Sequence, residues 1–166
     1  PEAEQQLMEL SQRSHTEITM ERIIVEAFGK INTHNTRRRL IAMARNLMGQ
    51  NKNWGQVCDD IIDKLSHAPA DDNEVRSLFA KMMQVPLPVH LPNVSRTLRF
   101  EKMALALGNI GTSAAVQMIL KIHHDLGIQG RTIQALALAG TSEAVEAMFA
   151  ILASTPGDHL KKFENT

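Results

Sequence analysis

Residues 106–116 read Ala-Leu-Gly-Asn-Ile-Gly-Thr-Ser-Ala-Ala-Val, and residues 135–145 read Ala-Leu-Ala-Leu-Ala-Gly-Thr-Ser-Glu-Ala-Val in the same register, 29 positions later. A glycine in the left-handed conformation closes a helix, and a threonine or serine after it caps the first free amides of the next helix. A weaker third copy is found at residues 27–33, which read Ala-Phe-Gly-Lys-Ile-Asn-Thr. The pattern predicts corners at which one helix ends and another begins.

Outward from these corners, apolar residues recur at helical spacing over most of the chain, and no run alternates as a strand would. Leu40, Met43, Ala44 and Leu47, for example, lie at i, i+3, i+4 and i+7. We predict an all-α fold of about nine helices. The predicted helices span residues 3–12, 14–31, 36–48, 54–67, 75–82, 95–108, 113–126, 130–139 and 142–153.

Three prolines, Pro86, Pro88 and Pro92, interrupt the helical pattern near the middle of the chain. Proline removes a backbone donor and biases the residue before it away from the helical conformation. We therefore predict a connector at residues 85–94. It divides an N-terminal helical subdomain, residues 1–84, from C-terminal helical repeats, residues 95–166.

The alternation of helices and glycine-closed corners resembles the HEAT-like α-solenoids, in which antiparallel helix pairs stack side by side. The sequence of residues 106–120 is also similar to the helical domain of large lipid-transfer lipoproteins, in which Ala-Leu-Gly-Asn-x-Gly recurs at such corners. These residues read Ala-Leu-Gly-Asn-Ile-Gly-Thr-Ser-Ala-Ala-Val-Gln-Met-Ile-Leu. The resemblance covers residues 100–152 well and residues 21–47 loosely. It implies an architecture and no single function, because solenoids include scaffolds, nucleic-acid binders and lipid carriers.

The distribution of charge supports stacking without reference to a family. Between positions 103 and 142 only Lys121, Asp125 and Arg131 carry a formal charge. A helix that is apolar nearly all round, such as residues 132–139, must be covered on several sides, as an inner helix of a stack would be. A compact orthogonal helical bundle around one central helix would meet the same requirement and is the alternative architecture.

The composition excludes several classes of protein. One cysteine among 166 residues cannot form an internal disulfide, which excludes a disulfide-stabilised secreted module and favours an intracellular, cytoplasmic protein. Residues 103–120 carry no charge, but Gly108, Gly111 and Thr112 interrupt their centre, so we expect a turn there and no membrane span. The chain begins at Pro1 without a signal-peptide pattern, and we expect it to be a fragment of a longer protein.

Positive charge is concentrated in one segment, although the whole chain balances 18 basic against 18 acidic residues. Residues 27–58 contain six basic residues and no Asp or Glu, and two of them, Arg38 and Arg45, share a helix face because they are seven positions apart. The candidate partner-binding residues are Arg37, Arg38, Arg39, Arg45 and Lys52. Such a ridge suits phosphates or an acidic partner, whereas a solvated outer helix face is the simpler interpretation.

Residues that could carry catalysis have simpler structural interpretations. Cys58 stands beside Asp59 and Asp60, whose carboxylates disfavour a thiolate, so we expect a buried small hydrophobic residue. With Asp63, these carboxylates are interpreted as the solvated face of their helix.

The two neighbouring histidines, His123 and His124, point about 100° apart on a helix, so we expect a pair near a helix C-terminus and not two ligands of one metal ion. The chain also lacks a nucleophile elbow, a Walker-type phosphate loop, a dinucleotide-binding fingerprint and a CxxC pair. We therefore predict that the domain is not an enzyme and uses no cofactor or metal.

These observations together predict a protein–protein interaction scaffold within a larger protein or assembly. It would bind a protein partner or another part of its own full-length chain. The candidate apolar interface lies in the last helix and consists of Val145, Met148, Phe149 and Leu152. The alternatives are nucleic-acid binding through the basic ridge and binding of an apolar ligand or lipid, which the nine methionines suggest because methionine repacks around varied apolar ligands.

Overall fold

In the computed structural model, residues 2–12, 18–49, 55–67, 73–84 and 93–154 are described, and they form nine α-helices and no strand. The predicted all-α fold with nine helices is confirmed for this part of the chain. The helices are α1 (Glu2–Gln12), α2 (Ile18–Ile31), α3 (His34–Gly49), α4 (Gly55–Leu65), α5 (Asn73–Gln84), α6 (Asn93–Ile110), α7 (Ser113–Leu126), α8 (Gln129–Ala139) and α9 (Ser142–Ser154).

The predicted helix ends agree with the structure within two residues wherever the structure describes them. Gly127 and Gly140 close α7 and α8 as predicted, at φ values of +64° and +63°. The sixth helix runs two residues past its predicted end at Gly108, to Ile110, and Gly111, the glycine of the predicted corner, closes it. The predicted start of the second helix at residues 14–17 and most of the predicted connector, residues 85–92, lie outside the described residues.

The two corners that share a sequence also share their hydrogen bonds. At the first, the Gly111 amide donates to Leu107 at 3.1 Å, and Thr112 Oγ1 accepts from the Ala115 amide at 3.2 Å. At the second, 29 residues on, the Gly140 amide donates to Leu136 at 3.3 Å, and Thr141 Oγ1 accepts from the Ala144 amide at 3.1 Å. The chain thus leaves one helix through a left-handed residue and enters the next through a threonine cap in both places.

The corner between α2 and α3 has the same chemistry with a different residue in the left-handed position. Asn32 adopts φ +47° and donates its amide to Phe28 at 2.9 Å. Thr33 then accepts a bond from the Thr36 amide on Oγ1 at 3.2 Å. Asparagine is the residue that most often replaces glycine in this conformation, which explains why the corner was recognisable in the sequence although its glycine is missing.

Contacts between the described helices follow chain order. Every substantial contact joins helices that are one or two positions apart, so that α2, α4, α6 and α8 form one row, which we call the even row. In the other row, α1 contacts α3, α3 contacts α5, and α7 contacts α9. Arg22 pairs with Asp60 and Glu26 pairs with Lys64, four residues further along both helices, so α2 and α4 run in the same direction.

The closest approach within the even row is between α6 and α8. A Cβ atom at position 108 would overlap the backbone oxygen of Ala135, and one at position 111 would lie 3.2 Å from the backbone oxygen of Ala139. Only glycine at position 108 lets the two backbones approach this closely. Gly108 therefore serves helix packing in the interior of α6, and it is Gly111, with a positive φ, that closes the helix.

A single core extends through the described helices of both halves of the chain. It joins Phe28, Leu65 and Phe79 before the proline-rich segment to Met103 and Leu107 after it, and all five side chains are fully buried. The uncharged stretch at residues 103–120 is divided by the corner at Gly111, as predicted. Among the described helices, none combines the length and the hydropathy needed to cross a bilayer.

Candidate functional site

The exposed side of α9 is apolar. Phe149 is 64% exposed, Val145 is 40% exposed and Leu152 is 37% exposed. The three residues lie at i, i+4 and i+7 and so share one side of the helix, which we call the α9 face. Three of the four residues predicted as an apolar interface thus form this face, while Met148 is half-buried against the core.

Contacts on the opposite side of α9 fix the direction in which this face points. Ala144 and Ile151 are buried in the core. Glu143 Oε1 accepts a bond from Gln117 Nε2 on α7 at 2.5 Å. Hydrogen bonds from Ser113 and Gln117 lower the pKa of the Glu143 carboxyl, so this link between α7 and α9 is made to a carboxylate at neutral pH. The α9 face consequently points away from α7 and α8.

The other end of the array of described helices has a polar outer side. On α1, Leu7, Met8 and Leu10 turn toward the core. The exposed residues of the helix are mostly acids and amides, namely Glu2, Gln5, Gln6, Glu9 and Gln12. A polar outer face is typical of the helix that ends a stack, whereas an apolar outer face such as that of α9 is typical of a helix with a further neighbour.

Two members of the predicted basic ridge make hydrogen bonds within the fold. Arg39 donates from Nη2 to the backbone oxygen of Ser11 at 2.5 Å and from Nε to Ser11 Oγ at 2.8 Å, and so attaches the end of α1 to α3. Arg37 donates to the backbone oxygen of Asn32 at 3.0 Å. These two guanidinium groups therefore stabilise the fold.

The exposed members of the ridge are Arg38 and Arg45. Arg38 Nε lies 3.6 Å from Glu74 Oε1 on α5. Arg45 is exposed and makes no ion pair with any described residue. Lys52 lies outside the described residues. The structure thus separates the predicted set into two residues that hold neighbouring segments and two that face solvent.

The carboxylates of α4 have a role that sequence reasoning missed. Asp63 is exposed, in agreement with the interpretation of these carboxylates as a solvated face, but each of Asp59, Asp60 and Asp63 also pairs with a cation on a neighbouring helix of the even row. Asp60 Oδ2 lies 2.7 Å from Arg22 Nε on α2. On the α6 side, Asp59 Oδ1 lies 2.9 Å from the buried guanidinium of Arg99.

A third pair, Asp63 with Lys102 on α6 at 3.2 Å, runs parallel to the pair of Asp59 and Arg99. The spacing of Asp59 and Asp63 matches that of Arg99 and Lys102, at four and three residues. Matched spacing of opposite charges on two predicted helices is therefore the signal that could have revealed these pairs, once the two helices were known to be neighbours.

Other residues considered for chemistry occupy structural positions. Cys58 is fully buried, and burial raises the pKa of its thiol to about 12, so it stays protonated and is a poor nucleophile at neutral pH. His124 Nδ1 lies 3.3 Å from Asp125 Oδ1 on the surface, near the end of α7 that Gly127 closes. In the described ranges, no three His, Cys, Asp or Glu side chains are grouped so that they could hold a metal ion.

The methionines do not line an apolar groove. All except Met20 are buried in the core or packed against it. A groove of about 620 Å³ does lie between α2 and α4, but no methionine lines it; its lining residues are Thr19, Arg22, Ile23, Glu26, Ala27, Lys30, Gln56 and Asp60. Its four charged residues form ion pairs, Arg22 with Asp60 across the groove and Lys30 with Glu26 along α2.

Comparison with protein families, with curated proteins and with solved structures finds no match to this chain.

Proposed function

We propose that this chain is a protein–protein interaction scaffold built from HEAT-like helical repeats, and that the α9 face binds its partner. One observation carries the proposal: Phe149, the largest apolar side chain of α9, is 64% exposed between two other exposed apolar residues of the same face. Apolar surface grouped in this way is typical of an interaction site, because leaving it in water costs free energy that a partner recovers.

The repeat architecture is supported by the three corners and by the contacts between helices. Each corner combines a left-handed residue with a threonine cap, at Asn32, Gly111 and Gly140. Every substantial contact between the described helices joins neighbours one or two positions apart, as expected for an array in which each unit packs on the next. In such an array the last helix offers its open side to whatever follows, and on α9 that side is apolar.

The test compares two substitutions in the complete protein, purified from its native host. Phe149→Asp places a charge in the α9 face, and Ile23→Asp places the same charge at a similarly exposed residue of α2, which is 57% exposed. We expect a partner that co-purifies with the unaltered protein to be lost from Phe149→Asp and retained by Ile23→Asp. Circular dichroism checks that both variants are folded.

A photo-crosslinking residue at position 152, with Phe149 left intact, then tests whether the contact is direct. We expect a discrete adduct with the partner from position 152 and none from position 23. Equal recovery of the same proteins with both aspartate variants, or no specific partner with the unaltered protein, would exclude the α9 face as the binding surface.

A further inference from the structure

The offset of 29 residues that relates the two corners also relates the helices on either side of them. α6 and α7 form a first repeat, and α8 and α9 form a second repeat. The second repeat packs on the first, because α8 contacts both α6 and α7, and α9 contacts α7. The structure therefore contains an example of the surface on which one repeat holds the next.

Equivalent positions are buried in α7 and exposed in α9. The counterparts of the α9 face, 29 positions earlier, are Val116, Leu120 and His123. Val116 is fully buried and the other two are half-buried, whereas all three residues of the α9 face are exposed. α7 contacts α6 as α9 contacts α8, and it differs from α9 in that α8 and α9 pack on it as a following repeat. The α9 face consequently corresponds to the surface of α7 on which the next repeat packs.

The other helix of the second repeat shows the same difference. Gly108 is buried in α6, where a Cβ atom would overlap the backbone oxygen of Ala135 on α8. Its counterpart 29 positions later is Ala137 on α8, which is exposed. In the first repeat this position is where the backbone of the following helix approaches. We call the surface formed by Ala137 and the α9 face the open repeat face.

The packing of α8 on α6 also gives the direction of the helix that follows. A Cβ atom at position 108 would lie against the backbone of Ala135, and one at position 111 would lie against the backbone of Ala139. The contact thus advances in the same sense along both helices, and α6 and α8 run in the same direction. A helix held in the same way on α8 would run parallel to it. It would need a small residue opposite Ala137, because the side chains at such a contact set the distance between two helices.

Two other occupants match the open repeat face less well. A second copy of the chain would continue the array through its own α1, whose exposed residues are mostly acids and amides. Residues 158–166 do not repeat the pattern of α8 either. Lysine, glutamate and asparagine stand at positions 161, 164 and 165, which are 29 residues after the three buried residues of α8. An inner helix of a stack has apolar or small residues at such positions.

We propose that the partner of the α9 face is a second protein that presents a helix pair of the same repeat type. The first helix of this pair packs along α8 over Ala137, and the pair covers the α9 face. The chemistry that identifies it is an apolar helix with a glycine or an alanine opposite Ala137. This assignment of the partner rests on the proposed function, and it adds a contact on α8 that binding at the α9 face alone does not require.

The first test compares the same substitution at two exposed alanines of the complete protein, Ala137→Leu and Ala150→Leu. The counterpart of Ala150 is Lys121, which is exposed, so Ala150 lies outside the open repeat face. The partner that co-purifies with the unaltered protein is isolated and titrated against each variant. We expect Ala137→Leu to weaken binding about tenfold or more, because the larger side chain holds the two helices apart. Ala150→Leu should bind as the unaltered protein does, and circular dichroism checks that both are folded.

A photo-crosslinking residue at position 137 of the complete protein tests the geometry directly. We expect an adduct with the partner that maps by mass spectrometry to the first helix of a helix pair, next to a glycine or an alanine. Position 150 should give no adduct. A mixture of isotopically labelled and unlabelled protein identifies adducts between two copies of the chain.

The outcomes separate this assignment from the proposed function. Loss of the partner from Phe149→Asp with unchanged binding by Ala137→Leu would overturn the assignment and leave the proposed function in place. Equal loss in Ala137→Leu and Ala150→Leu would overturn it as well. So would an adduct from position 137 within one chain, between two copies or with a segment that is not a helix pair. Retention of the partner by Phe149→Asp would overturn the proposed function and the assignment together.

Discussion

Gly108 shows how a single residue sets the distance between two helices. In the interior of α6, glycine costs about 0.5–1 kcal/mol of stability relative to alanine. The structure accounts for this cost, because a Cβ atom at this position would overlap the backbone oxygen of Ala135 on α8. The backbone of α8 cannot rotate away as a side chain would, so the two helices would have to separate.

We expect Gly108→Ala to lower the free energy of unfolding by about 1–3 kcal/mol, despite its better helix propensity, because overpacking outweighs propensity. Gly29→Ala is the matched control. There the nearest atoms to a Cβ belong to the side chain of Lys64, which can change its rotamer where a backbone oxygen cannot move, so we expect a smaller loss than for Gly108→Ala. Urea unfolding followed by circular dichroism measures both. Equal effects of the two substitutions would contradict the close packing of α6 on α8.

At the scale of the element, the corners depend on their threonine caps. Thr112→Ala removes the bond from the Ala115 amide, and Thr141→Ala removes the bond from the Ala144 amide. We expect each substitution to lower the free energy of unfolding by about 1 kcal/mol, because an amide at the start of a helix loses its partner. Thr112→Ser keeps the hydroxyl and should cost clearly less. A loss as large with serine as with alanine would assign the effect to the methyl group and not to the cap.

The ion pairs between helices make a second prediction at this scale. A hydrogen bond from Lys64, at 2.6 Å, lowers the pKa of the Glu26 carboxyl below its usual 4.5. At pH values near and below 4.5, the Glu26 carboxyl therefore binds a proton more readily in the unfolded chain than in the folded chain. The stabilising contribution of Glu26 is complete above pH 4.5 and is lost as the pH falls through the lowered pKa.

We expect the free energy of unfolding of Glu26→Gln to fall less between neutral and acidic pH than that of the unaltered protein. Urea unfolding across this pH range measures the difference. Glu9→Gln on α1 is the control, since Glu9 is exposed and makes no ion pair with a described residue. If the free energy of unfolding depends on pH in the same way in both variants, the pair with Lys64 does not stabilise the folded state.

At the scale of the whole molecule, contacts between neighbours in chain order predict that stability is local. In a stack, each helix depends mainly on the helices it touches, whereas in a compact bundle all helices share one centre. Leu136 is fully buried in α8, which contacts α6, α7 and α9. Its replacement by alanine leaves a cavity and should cost about 2–5 kcal/mol.

We expect Leu136→Ala to increase amide hydrogen exchange strongly in α6 to α9 and only weakly in α1 to α3. Phe28→Ala, at the other end of the array, should give the reverse pattern, because Phe28 is fully buried in α2. Exchange that rises uniformly along the chain in both variants would instead support the compact bundle that the sequence left open as an alternative.

The sequence by itself was sufficient to predict the helices and their corners, because these depend on interactions within a few residues of the chain. Helical spacing predicted all nine described elements, and the Gly-Thr-Ser signature located the corners at Gly111 and Gly140. The apolar residues of the last helix were also visible as a group. The exposure of Phe149, however, follows from which side of α9 meets α7 and α8.

Only the tertiary structure decided which charged side chains hold the fold and which remain available. Arg37 and Arg39 look equivalent to Arg38 in the sequence, yet they donate hydrogen bonds to Asn32 and Ser11, whereas Arg38 lies beside Glu74 on α5. Asp59 and Arg99 are 40 residues apart in the sequence, and no local pattern relates them. Their pair arises from the packing of α4 beside α6, since long-range pairing depends on which helix faces meet and not on the spacing of residues along one helix.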